Sequence, residues 1–123
     1  MNTLTLFLLL PLAAYLVGAI PWGLIIGKWS RGVDVRNIGS GNIGSSNVLR
    51  SVGVLQAALV LILDVAKGAV AVVVAGNLAE TADLSSLQTA YLETTAALAA
   101  LVGHNWPIYL RFRGGRGVAT GLG

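Results

Sequence analysis

The sequence predicts an all-α integral membrane protein with three transmembrane helices and the start of a fourth, the amino terminus outside and two glycine-rich loops in the cytoplasm. Three observations carry this prediction. Of the 123 residues 55% are hydrophobic and 11% charged, where an average soluble domain has about 25% charged residues, and the mean hydropathy is +0.78. Apolar runs recur that reach the roughly 20 residues a bilayer span needs at about 1.5 Å per residue. The charges between those runs alternate: four basic residues against one acidic over 27–51, two acidic and no basic over 77–85, and three basic and no acidic over 104–117. By the positive-inside rule, the first and third of these segments face the cytoplasm and the second faces out.

Residues 3–26 form the first span. Pro11 lies inside it and Pro21 near its end, and proline is tolerated in a membrane helix where neighbours satisfy the freed carbonyls. A cleaved leader would carry basic residues ahead of a shorter apolar run; here the first basic residue is Lys28. Residues 52–76 form the second span. It contains Asp64 and Lys67, which stand three apart and share one face. Residues 86–103 form a weaker, alanine-rich span holding Thr89, Glu93, Thr94 and Thr95, so one of its faces must pack on protein. Charges at mid-membrane depth are costly and usually pair, so Lys67 is expected to pair with Asp64, Glu93 or both; a proton or ion pathway is the alternative use. From about 117 the chain is apolar and uncapped, the start of a fourth helix, and residues 1–123 are expected to be one membrane domain, a fragment of a longer chain.

Polarity concentrates at 39–50, Gly-Ser-Gly-Asn-Ile-Gly-Ser-Ser-Asn-Val-Leu-Arg. Gly39, Gly41 and Gly44 allow positive φ and close approach to a ligand, and exposed N–H groups beside a helix N-terminus favour an anion, phosphate first. The other cytoplasmic loop holds Gly114, Gly115, Arg116 and Gly117. Each loop is expected to run into a membrane helix and to aim N–H groups at one place, with Arg50 and Arg116 adding a fork suited to phosphate oxygens. Two such loops imply two phosphorylated groups, or one substrate with a second anionic partner. Arg31, Arg36, Arg111 and Arg113 are expected to set topology and meet headgroups.

Several chemistries are excluded. With no cysteine and a single histidine, His104, the sequence carries no thiolate chemistry and no histidine metal cluster. A Walker A loop needs a lysine after its last glycine, and here Ser45 follows Gly44. The dinucleotide pattern G-x-G-x-x-G does match Gly39, Gly41 and Gly44, but without the strand that gives it meaning. The H-x-x-x-x-D acyltransferase signature fails because Tyr109 stands at its last position. The segment from His104 to Pro107 is expected to anchor a helix end, with Trp106 and Tyr109 at the interface.

With both loops read, the sequence resembles the bacterial acyl-phosphate:glycerol-3-phosphate acyltransferases, the PlsY family. The likeness is carried by Gly18-Ala-Ile-Pro-Trp-Gly, by Ile38 through Arg50, by Leu63-Asp-Val-Ala-Lys-Gly68, by Gly103-His-Asn-Trp-Pro and by Phe112 through Thr120. It implies about seven membrane helices in the complete family chain and a third motif beyond residue 123. It also implies transfer of a fatty acyl group from acyl phosphate to the 1-hydroxyl of glycerol 3-phosphate, giving lysophosphatidic acid and phosphate, at the cytoplasmic face of the bacterial inner membrane. Ser40 and Arg50 map to the functional pair, with Gly39, Gly41, Asn42, Gly44 and Ser46 in the same loop. Gly114, Gly115, Arg116 and Gly117 map to a second phosphate-binding loop. The resemblance implies no cofactor, no metal and no nucleic acid, with membrane lipid and the two substrates as partners. The competing readings are a non-enzymatic membrane subunit or small transporter using Asp64, Lys67 and Glu93, and an inactive fragment. Transporters place polarity near the midplane, whereas here most of it lies in the cytoplasmic loops.

Overall fold

Backbone breaks set the order of elements. The computed structural model describes residues 2–110, and every regular element among them is helical. Helix α1 (Thr3–Gly18) opens on Asn2, whose side chain accepts the Thr5 N–H at 2.8 Å and so satisfies one of the donors a helix start leaves open. The apolar run 3–26 is not a single helix. It stops at Gly18, and α2 (Trp22–Arg31) follows after residues 19–21. Pro21 causes the division: it has no N–H to return to the preceding turn, and it disfavours helical backbone at Ile20. The Ile20 N–H closes a tighter turn on the Val17 carbonyl at 3.2 Å.

Residues 27–51 are not simply a loop either. Helix α2 runs on to Arg31 and ends on Gly32 at φ 64°, a left-handed C-terminal stop. A single 3-10 turn (Val35–Asn37) and the short helix α3 (Ser45–Ser51) follow. Helix α4 (Val54–Thr81) has 28 residues and passes the expected end at 76, because nothing between Gly76 and Thr81 breaks it. Asp83, at φ 55°, turns the chain, and Ser85 and Gln88 form a reciprocal capping box that starts α5 (Ser86–Asn105). A 3-10 turn (Ile108–Leu110) closes the described chain.

Helices α1, α4 and α5 pack through small residues. Ala14 of α1, Ala71, Ala75 and Ala79 of α4, and Leu92, Ala96 and Ala100 of α5 are buried together. Gly18 meets the Ala100 carbonyl, and Gly103 the Tyr15 carbonyl, so closely that a Cβ at either would overlap backbone. Without water to drive helices together, close backbone approach of this kind is how membrane helices associate. The Tyr15 hydroxyl adds a hydrogen bond to the Trp106 carbonyl at 2.7 Å. A second cluster packs α2 and α3 on the first half of α4, through Leu24, Ile26, Val35, Ile43, Val48 and Val60. Leu4, Leu8, Leu12, Ile62, Val73 and Leu98 stand exposed on the outside, a continuous apolar surface of a size that water-soluble chains rarely carry. Thr3–Arg31, counted across its break, and Val54–Thr81 are each long and apolar enough to cross a membrane.

Replacing Gly18 by valine should therefore destabilise the α1–α5 contact by at least the ~1–3 kcal/mol of a typical overpacking. Leu12→Val, on the exposed face of α1, should change little. Thermal unfolding of both variants in detergent checks the pair, and equal midpoints would contradict the close approach.

Candidate functional site

The 39–50 segment is folded around one amide. Asn47 is fully buried, and its Nδ2 donates toward the carbonyls of Asn42 at 2.9 Å, Val35 at 3.0 Å and Ile38 at 3.1 Å. Its Oδ1 accepts the Ser40 N–H at 3.1 Å and the Ser51 hydroxyl at 3.2 Å. One side chain thus bonds backbone groups on both sides of the turn, each such bond contributing about 0.5–1.5 kcal/mol. Two of the three glycines are needed for shape. Gly39 is at φ 54° and Gly41 at φ 74°, and a Cβ on Gly39 would run into the Asn47 amide. Gly44 is different: its φ is −73°, which any residue adopts, and its N–H is held by Asn42 Oδ1 at 2.9 Å. Its lack of a side chain is not a demand of the backbone.

The fold leaves several polar groups of the segment outward, alongside Leu49. Ser40, Ser46 and Arg50 are exposed, and Ser46 and Arg50, four residues apart in α3, share one face. Ser40 Oγ accepts the Asn42 N–H at 3.4 Å, which leaves the hydroxyl hydrogen to donate. The segment runs into the seven-residue α3 rather than a membrane helix, since α4 begins at Val54. No strand precedes it among the described residues, so the dinucleotide pattern has no βαβ setting. Gly114, Gly115, Arg116 and Gly117, together with Arg111, Arg113 and the helix start at 117, lie outside the described residues.

The cations divide into two kinds. Arg36 is bound to Asp34, with Nε on Oδ1 at 3.0 Å and Nη2 on Oδ2 at 2.7 Å. That side-chain hydrogen bonding holds the Asp34 carboxyl down to about 2 and pushes the Arg36 guanidinium up. Lys28, Arg31 and Arg50 form no ion pair among the described residues. In the interior, Lys67 Nζ lies 3.2 Å from Asp64 Oδ1. Its three hydrogens have three other acceptors: the Gly18 carbonyl at 2.8 Å, the Ile20 carbonyl at 3.1 Å and His104 Nδ1 at 2.8 Å. The Asp64 contact is consequently ionic, without a directed hydrogen bond, and His104 accepts at Nδ1 as the Nε2–H tautomer.

The pairing of Lys67 with Glu93 does not occur. The α4–α5 turn sets Glu93 opposite Gly76, where with Glu80 and Thr89 it lines an open cavity of about 430 Å³. The middles of the two helices do not meet, because α4 has 28 residues and α5 has 20. His104 lies in the last turn of α5, at a helix end as expected, and from there takes the place across from Lys67. Sequence reasoning named Asn47 and His104 but assigned neither the role it has here, Asn47 closing the turn and His104 accepting from Lys67. An amide one turn into a helix after a glycine-rich turn was the available signal for the first.

The sequence profile of the family described as Glycerol-3-phosphate acyltransferase matches residues 8–123. The chain belongs to this acyltransferase family. It is 43% identical over 117 residues to glycerol-3-phosphate acyltransferase 5 of Dehalococcoides mccartyi, which covers 95% of this chain and 47% of the relative. To the glycerol-3-phosphate acyltransferase of an Anaeromyxobacter species it is 48% identical over 123 residues, 100% of this chain and 59% of the relative. The fold is similar to the crystal structure of PlsY, an integral membrane glycerol 3-phosphate acyltransferase, in its glycerol 3-phosphate form. The TM-score is 0.81 at 40% identity, over 95% of this chain and 55% of that one. The lysophosphatidic acid form gives 0.78 at 37% identity, over 94% and 53%. The chain spans about half the length of these acyltransferases.

Substitutions in the 39–50 segment and a titration of the Asp34 bridge test this geometry. Gly39→Ala should cost at least the ~1–2 kcal/mol of left-handed backbone, and Asn47→Leu should release the segment, read as rapid amide exchange at Ser40; Gly44→Ala should stay within about 0.5 kcal/mol of the parent. The Asp34 bridge contributes above the ordinary carboxylate pKa of 3.8 and is lost only as pH falls through about 2. An NMR titration should place the Asp34 midpoint there, and a midpoint near the ordinary value would mean the bridge does not form.

Proposed function

We propose that the chain carries the first phosphate-binding half of an acyl transfer site. That site moves a fatty acyl group from acyl phosphate to the 1-hydroxyl of glycerol 3-phosphate. The observation that carries this reading is the rigid 39–50 turn, which uses Asn47 for its own closure and leaves Ser40, Ser46 and Arg50 outward. Family membership supports it, as does the likeness to acyltransferase structures described as glycerol 3-phosphate and lysophosphatidic acid forms.

In this reading Arg50 is the fork that holds substrate phosphate, and the Ser40 hydroxyl donates to a phosphate oxygen or to the oxyanion that develops on the acyl carbonyl. Gly39, Gly41, Asn42, Gly44 and Ser46 line the same turn. Asn42 offers its amide hydrogens, which make no hydrogen bond among the described residues. Gly44, whose backbone needs no glycine, gives the ligand room. Gly114, Gly115, Arg116 and Gly117 supply the second anion loop.

The glycerol hydroxyl adds to the carbonyl, the tetrahedral intermediate expels phosphate, and the hydroxyl proton passes to a phosphate oxygen. The ester C–O bond replaces the acyl phosphate C–O bond, with no oxidant, metal or cofactor in the balance. Acyl phosphate is already activated, so holding two anions in line accounts for most of the work. The topology proposed is three spans, α1 with α2, α4 and α5, followed by the start of a fourth helix at 117. The amino terminus is outside, and the loops and the site face the cytoplasm of a bacterial inner membrane. A transport pathway through Lys67 is less favoured, because its hydrogens are all committed to fixed acceptors.

The test is phosphate release from acyl phosphate by the purified 123-residue chain in detergent, with and without glycerol 3-phosphate. Release that depends on glycerol 3-phosphate, and falls at least about a hundredfold in Arg50→Ala as expected for a lost transition-state donor, is the expected result. Release unaffected by Arg50→Ala would overturn the assignment.

A further inference from the structure

The residues proposed to bear on phosphate sit on α3 and the turn before it, and a buried ammonium on another helix holds the backbone from which the chain leads to that unit. Lys67 stands thirteen residues into α4, about 20 Å along its axis, and is 3% exposed. An ionisable group held so deep is rarely there for stability alone, since a well-packed apolar residue usually serves as well. Its partners are specific. Two are the Gly18 and Ile20 carbonyls, the backbone groups that flank the α1–α2 break. The others are His104 of α5 and Asp64 of its own helix.

Downstream of the break the contacts lead to the loop. Gly23, in the first turn of α2, lies so close to the Ile43 backbone that a Cβ there would overlap its carbonyl. Ile43 is buried and sits inside the 39–50 segment, and Gly27 packs less tightly on the Val35 side chain and the Val33 carbonyl. The angle at which α2 leaves α1 therefore bears on where the segment lies, beside the direct packing of α2 and α3 on α4, and the ammonium holds both carbonyls at that angle.

The geometry points to Lys67 as a positioning residue: by pinning the Gly18 and Ile20 carbonyls to α4 and α5, it sets the placement of the phosphate-binding turn through the Gly23–Ile43 contact. Its use for catalysis rests on the acyl transfer reading above; the placement itself does not.

The natural sequence has no cysteine, so pairs of nitroxide labels can be introduced cleanly. One pair, Leu12→Cys with Leu49→Cys, spans α1 and α3. The other, Ile62→Cys with Leu98→Cys, spans α4 and α5, and all four positions are exposed. In Lys67→Met the Leu12–Leu49 distance should shift or split into two populations, while the Ile62–Leu98 distance holds. A folded Lys67→Met protein with both distances unchanged overturns the proposal, as does equal broadening of both, which marks general loosening. If Lys67→Met does not fold, His104→Leu, which removes one acceptor, should shift the first pair. His104→Asn, whose Oδ1 can stand where Nδ1 stood, should restore it; the same distances in both variants overturn the proposal. The labels read placement whether or not glycerol 3-phosphate is a substrate. A shifted first pair in a protein whose phosphate release never depended on glycerol 3-phosphate would leave the positioning role intact and defeat the acyl transfer reading alone.

Discussion

The constraint on which the rest of this structure depends is that backbone polar groups have no water to turn to inside a membrane. A helix that breaks at that depth must find partners for the groups it releases, and here the break at residues 19–21 leaves two carbonyls for a buried lysine. Burial of the ammonium in turn requires a counter-charge, which Asp64 supplies at 3.2 Å, and a third acceptor, which His104 supplies at 2.8 Å. Each of these groups would be expensive alone. As a set they leave no hydrogen of Lys67 without an acceptor, and they tie α1, α4 and α5 at one point. The small-residue seam runs from the same junction, where Gly18 and Gly103 bring the backbones of α1 and α5 together.

The 39–50 segment solves the same problem by a different route. It lies where polar groups are accessible, yet its backbone does not depend on solvent, because Asn47 takes carbonyls from three sides and one N–H. On the proposed phosphate-binding reading, little ordering remains to be done when an anion arrives, and preorganisation of that kind lowers the cost of holding a ligand. A segment closed by water would surrender those contacts to a phosphate; one closed by Asn47 keeps them. The glycines then have separate duties. Gly39 and Gly41 turn the chain with positive φ, and Gly44, in ordinary extended backbone, is the one whose missing side chain faces no internal demand.

Much of this was legible in the sequence, and the parts that were not share a cause. A run of glycine, serine and asparagine between apolar segments announces itself, and the i, i+3 spacing of Asp64 and Lys67 fixes their common face whatever the tertiary fold. The break at Pro21 was harder, because proline in an apolar run is compatible with a kinked helix as well as with two helices, and the deciding partner stands 47 residues away. The Glu93 register failed for a similar reason. Which residue of α5 faces Lys67 depends on where the α4–α5 turn falls, and Asp83 and the Ser85 cap put it later than the end of the apolar run suggested. Local pattern reports faces; it does not report register between helices.

The division among the basic residues shows why charge counting alone cannot find a site. Arg36 and Arg50 contribute equally to the charge balance of residues 27–51, and both are exposed. Arg36, however, has spent its fork on Asp34, a two-point pair that also cradles the Arg36 N–H at 3.0 Å and closes the 3-10 turn. A guanidinium in that position can still attract an anion at long range, but it has to give up a bidentate partner to bind one at short range. Arg50 has no such partner among the described residues, and it stands on the face of α3 shared with Ser46. The fold thus turns two equivalent charges into a structural brace and a guanidinium without an ion pair among the described residues, the one the proposed function uses. The buried amide beneath them, Asn47, makes the difference durable by holding the turn between the two arginines in one shape.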